Sequence, residues 1–282
     1  MARRPRLTPA AWRPLLRAAL REDLDGAGDV TTRFFVPAAT RLSGRVVARE
    51  AGVICGLEIA AAAFKACAPN ARVRALVSDG ARVRAGETVM TVEGGRGILT
   101  AERTALNFLQ RLSGVATLTR LCVEKTRGTR AKVLDTRKTI PGWRALDKYA
   151  VACGGGVNHR LGLYDAAMVK DNHYLGRRLE EGARELRRRR PGTPLIVEVE
   201  SRAQADRALA LRPDVLVLDN LPPSRLRAEI RRLRRLAPRV KLEVSGGVGP
   251  ESVRALARLG PDRISIGRLT HSAPALDLAL DL

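Results

Sequence analysis

The sequence predicts an α/β protein in two parts: a small mixed unit, then a parallel sheet or barrel of six βα units. After Thr129, short apolar runs alternate with amphipathic helical stretches, which is the pattern of βα repeats. The first 100 residues or so lack this repeat and alternate short strands with two helices. Every strand predicted in the second part also ends in polar or glycine residues.

The first part begins with a helix. Thr8 followed by Pro9 is an N-cap with proline at the first helical position, so a helix is predicted to run to about Glu22. A loop is predicted over residues 25–32. A turn at residues 78–90 resembles that of lipoyl and biotinyl carrier domains but has no lysine at its tip, which favours a purely structural β-sandwich. The predicted strands are 42–48, 52–55, 73–77 and 88–92, with a helix at 57–67.

A long helix is predicted between the two parts, from Gly97 to about Arg127. Its apolar residues Leu106, Leu109 and Leu112 recur with helical spacing and define one buried face. Arg103 also lies on this helix. Taken alone, an arginine on a helix is most simply a solvated side chain.

The second part contains six predicted strands and several amphipathic helices. Six βα units are too few for a full eight-stranded barrel. The strands are 132–135, 166–170, 195–199, 215–218, 241–244 and 263–266, and the helices include 175–190, 202–211, 224–236 and 251–259.

The residues that could take part in binding or catalysis lie at the strand ends. Because parallel βα folds place active sites at the carboxyl ends of their strands, polar residues at six successive ends indicate one site. In order they are Arg137 and Lys138, Lys170, Glu200, Asp219 and Asn220, Ser245 to Gly247, and Gly267.

These residues predict a site for anions. Arg137, Lys138 and Lys170, joined by His159 and Arg160, form a cationic group suited to carboxylates. Glu200 and Asp219 indicate a Mg²⁺ bridge or hydrogen bonds to sugar hydroxyls. The glycine-rich turns at Ser245, Gly246 and Gly247, and at Gly267, offer backbone N–H groups to phosphate. The combination predicts a phosphorylated sugar and an anionic co-substrate.

The net charge of +22 raises the alternative of a nucleic acid partner. Aromatic residues make up only 3% of the chain, so stacking platforms for single strands are scarce. Arginine outnumbers lysine 44 to 7 along the whole chain, which is typical of compositional drift. We therefore do not expect a nucleic acid partner. No apolar window approaches the length of a membrane span, so we do not expect a membrane-bound protein either. Four cysteines without a disulfide framework, and no signal peptide, predict a cytoplasmic location.

Eight motifs in order resemble those of the quinolinate phosphoribosyltransferase family, over almost the whole chain. They are E-R-T-A-L-N-F-L-Q from Glu102, D-T-R-K-T-I-P-G from Asp135, G-G-G-x-N-H-R from Gly154, V-K-D-N-H from Val169, E-V-E from Glu198, L-D-N from Leu218, E-V-S-G-G from Glu243 and I-S-I-G-x-L-T-H-S from Ile264. Trp143, where a smaller apolar residue is expected, and Arg268, in a variable position, depart from the family pattern.

The resemblance implies an N-terminal α/β sandwich domain at residues 1–110 and an incomplete, six-stranded α/β barrel at 111–273. Residues 274–282 are expected to pack on the first domain. It also implies a homodimer with shared active sites, which could assemble further. Arg103 would then reach into the partner subunit's site and bind a substrate carboxylate.

The resemblance further implies an activity. Quinolinate would react with phosphoribosyl pyrophosphate to give nicotinate mononucleotide, CO2 and pyrophosphate, in NAD biosynthesis. Arg137, His159, Arg160 and Lys170 would bind quinolinate. Lys138, Lys170, Glu200 and Asp219 would act on phosphoribosyl pyrophosphate and its Mg²⁺, with Glu200 and Asp219 nearest the metal. The remaining expected substrate contacts are Thr136, Ser245, Gly246, Gly247, Ile266, Gly267, Arg268 and His271.

Two alternatives remain at this point. One is a relative of the same fold that acts on a different acid, of the type associated with molybdate transport. The other is a barrel aldolase in which Lys170 forms a Schiff base.

Overall fold

The computed structural model describes residues 7–174 and 178–282. The basic residues 1–6 and the predicted helix start at 175–177 lie outside the described residues. The chain divides into two compact units. The first contains the residues up to Arg120 together with Ile140–Gly155 and Ser272–Leu282, and the second contains Leu121–Thr139 and Gly156–His271. Residues 140–155, which the sequence-based division assigns to the second part, thus cluster with the first unit.

The helices and strands follow one another along both units. Up to residue 125 they are α1 (Pro9–Leu24), α2 (Val30–Phe35), β1 (Arg41–Ala48), β2 (Gly52–Val53), α3 (Leu57–Cys67), β3 (Arg72–Ala75), β4 (Arg82–Val83), β5 (Thr88–Gly95) and α4 (Gly97–Lys125). After residue 130 they are β6 (Lys132–Leu134), α5 (Arg144–Cys153), β7 (Ala167–Val169), α6 (Asp171–Tyr174), α7 (Leu179–Arg189), β8 (Leu195–Val199), α8 (Arg202–Ala210), β9 (Val215–Asp219), α9 (Pro223–Leu236), β10 (Lys241–Ser245), α10 (Val253–Ala257), β11 (Arg263–Ser265), α11 (Arg268–His271) and β12 (Leu278–Asp281).

The first unit contains an antiparallel sheet in the order β12-β1-β5-β3. Its last strand, β12, comes from the carboxyl-terminal segment and pairs with β1. The predicted loop over residues 25–32 is wrong at its end, because α2 begins at Val30. Asp29 is the N-cap of α2 and accepts a hydrogen bond from the Thr32 N–H at 2.8 Å.

Helix α4 has the predicted apolar face. Leu106, Leu109 and Leu112 are buried, as the helical spacing predicts. The unexpected Trp143 stacks on Phe108, with ring centroids 4.8 Å apart and planes 10° apart. An aromatic side chain at position 143 is therefore explained by packing on an aromatic residue of α4.

The second unit contains a six-stranded parallel sheet in the order β6-β11-β10-β9-β8-β7. In chain order, β6 is the first strand of this sheet and β11 is the last, and the two pair with each other, as the first and last strands of a closed barrel do. On the other side of β6, Leu134 makes a single parallel bridge to Val157, in the stretch that leads to β7. The incomplete, six-stranded α/β barrel predicted for this part is confirmed.

Helices follow most strands of the second unit, with apolar faces against the sheet. In α9, Leu226, Ile230 and Leu233 are buried, as their spacing predicts. Helix α10 is shorter than the predicted 251–259. In the described part of the chain, none of the helices is both long enough and apolar enough to span a bilayer.

Candidate active site

A cavity of about 360 Å³ lies at the carboxyl ends of the six parallel strands. Each strand contributes to its wall, since Thr136 follows β6, Lys170 follows β7, and the remaining four strands supply residues within or at the end of their ranges. The residues predicted for the site that line it are Thr136, Arg137, Lys138, His159, Arg160, Lys170, Asp219 and Ser245. The structure therefore brings the predicted cationic group together in one place.

Asp135 fixes the part of the wall that carries the predicted acid-binding residues. It follows β6, is fully buried, and accepts hydrogen bonds from Asn158 Nδ2 at 2.6 Å and from the His159 N–H at 2.7 Å. A carboxylate can be buried at this depth when hydrogen bonds satisfy it. Asp135 thereby ties the segment with His159 to the end of β6.

His159 is held through both ring nitrogens. Nδ1 accepts a hydrogen bond from the Arg160 N–H at 2.8 Å, so the ring proton belongs on Nε2. Nε2 lies 3.3 Å from Oε1 of Glu243, a carboxylate on β10 that is only 1% exposed. Glu243 lies within the E-V-S-G-G motif, but no role for it could be predicted, because its partner His159 is distant in sequence.

Arg160 lies beside His159 and close to another cation. Its Nη1 donates a hydrogen bond to the carbonyl oxygen of Ala166 at 2.9 Å. Burial lowers the pKa of Arg160 from the usual arginine value, and the nearby positive charge of Arg137 lowers it further. Both guanidinium groups line the same cavity, which favours an anion there.

Lys170 pairs with an acid that the sequence analysis did not select. Its Nζ donates to Oε2 of Glu198 on β8 at 2.6 Å. Glu198 lines the cavity. Glu200 follows the end of β8, is exposed and does not line the cavity. Alternation along β8 could have found Glu198, because it shares the inner face of the strand with the buried Ile196.

Asp219 ends β9 and is linked to the first glycine-rich turn. The next residue, Asn220, donates from Nδ2 to Asp219 Oδ2 at 2.7 Å and from its N–H to the Ser245 carbonyl at 3.1 Å. Gly246 has a φ of +95°, and a Cβ there would lie 2.2 Å from Asn220 Oδ1. Only glycine fits this turn, which allows its backbone to approach the end of β9 closely.

The second glycine turn lies beside Lys138. A Cβ on Gly267 would lie 3.0 Å from Lys138 Cδ and 3.2 Å from His271 Nε2. Thr270 Oγ1 donates to the Lys138 carbonyl at 2.8 Å. Arg268 is exposed and pairs with Glu251 at 2.8 Å. Lys138, Gly267 and His271 thus lie together, while Arg268 has an acidic partner of its own.

Several residues predicted for the site do not line the cavity. Arg103 belongs to the first unit, where it is exposed on α4. The others are Glu200, Gly246, Gly247, Ile266, Gly267, Arg268 and His271. The cavity residues that sequence reasoning missed are Met168, Glu198, Val217, Glu243 and Ser265.

The carboxylates of the cavity fit the ligand preferences of a magnesium ion. Among the residues described, the group of three potential metal ligands with donor atoms within 4.8 Å of one another is Cys55, Asp79 and Cys153, in the first unit. Asp79 already accepts hydrogen bonds from the N–H groups of Gly56 and Leu57 and from Tyr149 Oη. In the cavity, Glu198 and Asp219 offer the oxygen ligands that Mg²⁺ prefers when phosphate groups and water supply the rest.

Comparison with known protein families gives matches to both parts of the chain. Residues 29–113 match the quinolinate phosphoribosyl transferase N-terminal domain, and residues 115–281 match the quinolinate phosphoribosyl transferase C-terminal domain.

Individual proteins match over nearly the whole length. The chain is 45% identical to the nicotinate-nucleotide pyrophosphorylase [carboxylating] of Mycobacterium leprae, over 96% of this chain and 97% of that protein. It is 37% identical to the probable nicotinate-nucleotide pyrophosphorylase [carboxylating] of Bacillus subtilis, over 95% of this chain and 92% of that protein. The structure of the nicotinate-nucleotide pyrophosphorylase from Francisella tularensis superimposes with a TM-score of 0.92 at 35% identity, covering 100% of this chain and 99% of that one.

Proposed function

Since this chain belongs to the quinolinate phosphoribosyltransferase family, we propose that it transfers the phosphoribosyl group of phosphoribosyl pyrophosphate to quinolinate. The products are nicotinate mononucleotide, CO2 and pyrophosphate, and the reaction belongs to NAD biosynthesis. The observation that carries the proposal is the convergence of Arg137, Lys138, Arg160 and Lys170 on one cavity at the strand ends.

The cationic wall suits a pyridine dicarboxylate. Arg137 and Arg160 supply planar guanidinium groups, which bind carboxylates bidentately, and Lys170 supplies a compact charge. The lowered pKa of Arg160 reflects burial and the repulsion of Arg137, and a bound dicarboxylate offsets both. His159 completes this wall, with its orientation fixed by Glu243 and the Arg160 N–H.

The adjoining part of the wall suits the sugar phosphate. We assign Glu198 and Asp219 to the ribose hydroxyls and the Mg²⁺-bound pyrophosphate, so Glu198 takes the role that the sequence analysis gave to Glu200. The turn at Ser245–Gly247 and the turn at Ile266–Arg268 would offer backbone N–H groups to the 5′-phosphate. Lys138 and His271, which lie against Gly267, support this assignment.

The charges account for the order of chemical steps. The pyridine nitrogen attacks C1 of the ribose, and the bond from C1 to pyrophosphate breaks through an oxocarbenium-like state. Lys138 and Lys170 stabilise the charge on the departing pyrophosphate. Mg²⁺, when bound, adds Lewis-acid stabilisation of the same charge.

Decarboxylation follows from the product of the first step. The ring nitrogen is now cationic, so the C2–carboxylate bond can break with its electron pair left on C2, stabilised by that charge. CO2 departs and C2 takes up a proton, which gives nicotinate mononucleotide. The side chains bind and orient the ring, and no covalent bond to the protein forms.

We further propose a cytoplasmic homodimer with shared sites. Arg103 is exposed on α4, which suits a side chain that enters a partner subunit's cavity and binds a substrate carboxylate. A Schiff-base aldolase is the weaker alternative, because such an enzyme needs a free neutral amine and Lys170 is in an ion pair with Glu198.

A coupled assay for nicotinate mononucleotide tests the proposal, with quinolinate and nicotinate compared as acceptors. We expect turnover with quinolinate, release of CO2 and no turnover with nicotinate. Turnover of nicotinate alone would overturn the substrate assignment. Inactivity towards both acids would favour the relative that acts on a different acid, while a borohydride-trapped adduct at Lys170 would favour the aldolase.

A further inference from the structure

The parallel sheet of the second unit has a second cavity, at the amino ends of its strands. Its volume is about 740 Å³, against about 360 Å³ for the cavity at the carboxyl ends. Pro194 precedes β8, Asp214 precedes β9, and Lys241 and Arg263 are the first residues of β10 and β11. This position is on the opposite side of the barrel interior from the candidate active site.

One thin apolar layer separates the two cavities. It is a cluster formed by Ala166, Ile196, Val215 and Val217, with Met168 packed against it. Met168 and Val217 line the first cavity, and the other three line the second. Parallel α/β barrels usually fill the interior with about three layers of side chains, so the amino end of this interior is left open by comparison.

The second cavity is positively charged. Within the described residues, Arg212, Arg239 and Lys241 line it, are exposed and make no ion pair with a carboxylate. Arg263 also lines it and lies 3.9 Å from Glu243. The two aspartates in its wall are already engaged with the backbone: Asp165 accepts from the Leu161 N–H and Asp214 from the Leu195 N–H, each at 2.7 Å. Cations grouped in this way favour an anionic occupant.

Other residues of the wall are apolar. Ile196, Leu209, Pro213 and Leu236 contribute, so the cavity combines a hydrophobic surface with a set of charged groups. The volume of the cavity is typical of small-molecule sites. We propose that the cavity binds a nucleoside monophosphate, with the base against the apolar wall and the phosphate near Arg239 and Lys241.

The second cavity shares two residues with the first. His159 and Arg160 line both, and Arg160 is bonded to the Ala166 carbonyl in the separating layer. A ligand in the second cavity therefore changes the affinity of the first for its acid. This coupling rests on the proposed function, because it concerns the quinolinate site. By linkage, quinolinate changes the affinity for the nucleotide by the same factor.

Isothermal titration calorimetry with adenosine 5′-monophosphate tests the binding site without any need for turnover. We expect saturable binding to the full chain that the double variant Arg239→Ala/Lys241→Ala weakens at least tenfold, a loss of about 1.4 kcal/mol. Arg235→Ala, an exposed arginine of α9 outside the cavity, serves as the matched control and should bind as the wild type does. Adenosine, which lacks the phosphate, should bind at least tenfold more weakly.

Three results would overturn the site. They are the absence of binding, equal binding of adenosine, and binding that is lost in Lys138→Ala but kept in Arg239→Ala/Lys241→Ala, which would place the nucleotide in the carboxyl-end cavity.

The coupling is tested by the KM for quinolinate, which we expect the nucleotide to change in the wild type but not in the double variant. An unchanged KM in the wild type would overturn the coupling. If the protein binds the nucleotide in the second cavity but does not turn over quinolinate, the proposed function is wrong and the second binding site still stands.

Discussion

Lys170 and Glu198 form a 2.6 Å ion pair across two adjacent parallel strands at the carboxyl end of the sheet. Lys170 follows β7 and belongs to the cationic wall of the cavity, while Glu198 lies in β8 and begins the acidic wall. The pair therefore lies where the acid-binding side of the cavity meets the side that we assign to the sugar phosphate. Each member limits the positions that the other can adopt.

The first prediction separates Glu198 from Glu200. Glu198→Gln keeps the shape of the side chain but removes its charge, and should lower kcat/KM for phosphoribosyl pyrophosphate by about a hundredfold or more. Glu200→Gln alters an exposed residue outside the cavity and should change kcat/KM for phosphoribosyl pyrophosphate by no more than about twofold. Steady-state kinetics of both purified variants decide the matter. The reverse pattern would restore the assignment of Glu200.

The second prediction concerns the proposed shared site. Arg103→Ala and Lys170→Ala should each be nearly inactive alone, because each removes a cation that binds substrate. Mixed subunits should regain activity, since a hybrid dimer has one site in which both cations are intact. The measurement is activity after mixing, with subunit exchange followed by mass spectrometry. Folded mixtures that exchange subunits and stay inactive would rule out the sharing.

The third prediction is a pH dependence of stability at Asp262. Burial raises the pKa of this carboxyl, but hydrogen bonds from the Leu242 N–H and Arg234 outweigh it, so the pKa lies below its ordinary 3.8. A lowered pKa means that the carboxylate stabilises the fold above pH 3.8 and loses this contribution as the pH falls through the folded value.

Asp262→Asn should therefore lower the free energy of unfolding by about 1 to 3 kcal/mol at pH 7. The difference from wild type should shrink as the pH falls below 3.8. Urea titrations across this range measure it. Glu181→Gln, which removes an exposed partner of Arg178, is the control and should have no resolvable effect. A difference that stays constant down to acid pH would show that the charge is not responsible.

The fourth prediction concerns the aromatic pair of the first unit. Trp143→Leu removes the stacking on Phe108 and should cost about 1 to 3 kcal/mol of stability. Because Phe108 is buried on α4, the loss should appear in thermal unfolding. Trp143→Phe retains an aromatic face and should recover most of the loss. Equal destabilisation by both variants would argue against stacking as the cause.

The regular parts of the fold could be predicted because their patterns are local. Alternation of apolar runs and amphipathic stretches identified all six parallel strands, and helical spacing identified the buried face of α4. Helix α2 was missed because only six residues form it and its signal is a single N-cap at Asp29. Helix α5 was missed because the charged and glycine-rich residues around it were interpreted as site residues alone.

The cavity could be predicted in position but not in full composition. Strand ends located Arg137, Lys138 and Lys170, because sequence order gives the edge at which a side chain lies. Alternation places Glu198 and Glu200 on the same face, so the choice between them depends on where the strand ends, and β8 ends at Val199. The role of Glu243 depends on its 3.3 Å approach to His159, and no local pattern in the sequence encodes a contact between residues so far apart.

The pairing of β6 with β11 also constrains how the protein folds during its synthesis. Residues 132–134 must wait for residues 263–265 before the parallel sheet can form completely, and β1 must wait for β12 at residues 278–281. Contacts between such distant segments are slow to form, because a long loop must close first. The four-stranded antiparallel sheet and the parallel sheet therefore each keep an unpaired edge until residues 278–281 and 263–265, respectively, have been synthesised, and such edges can pair with other chains in the meantime.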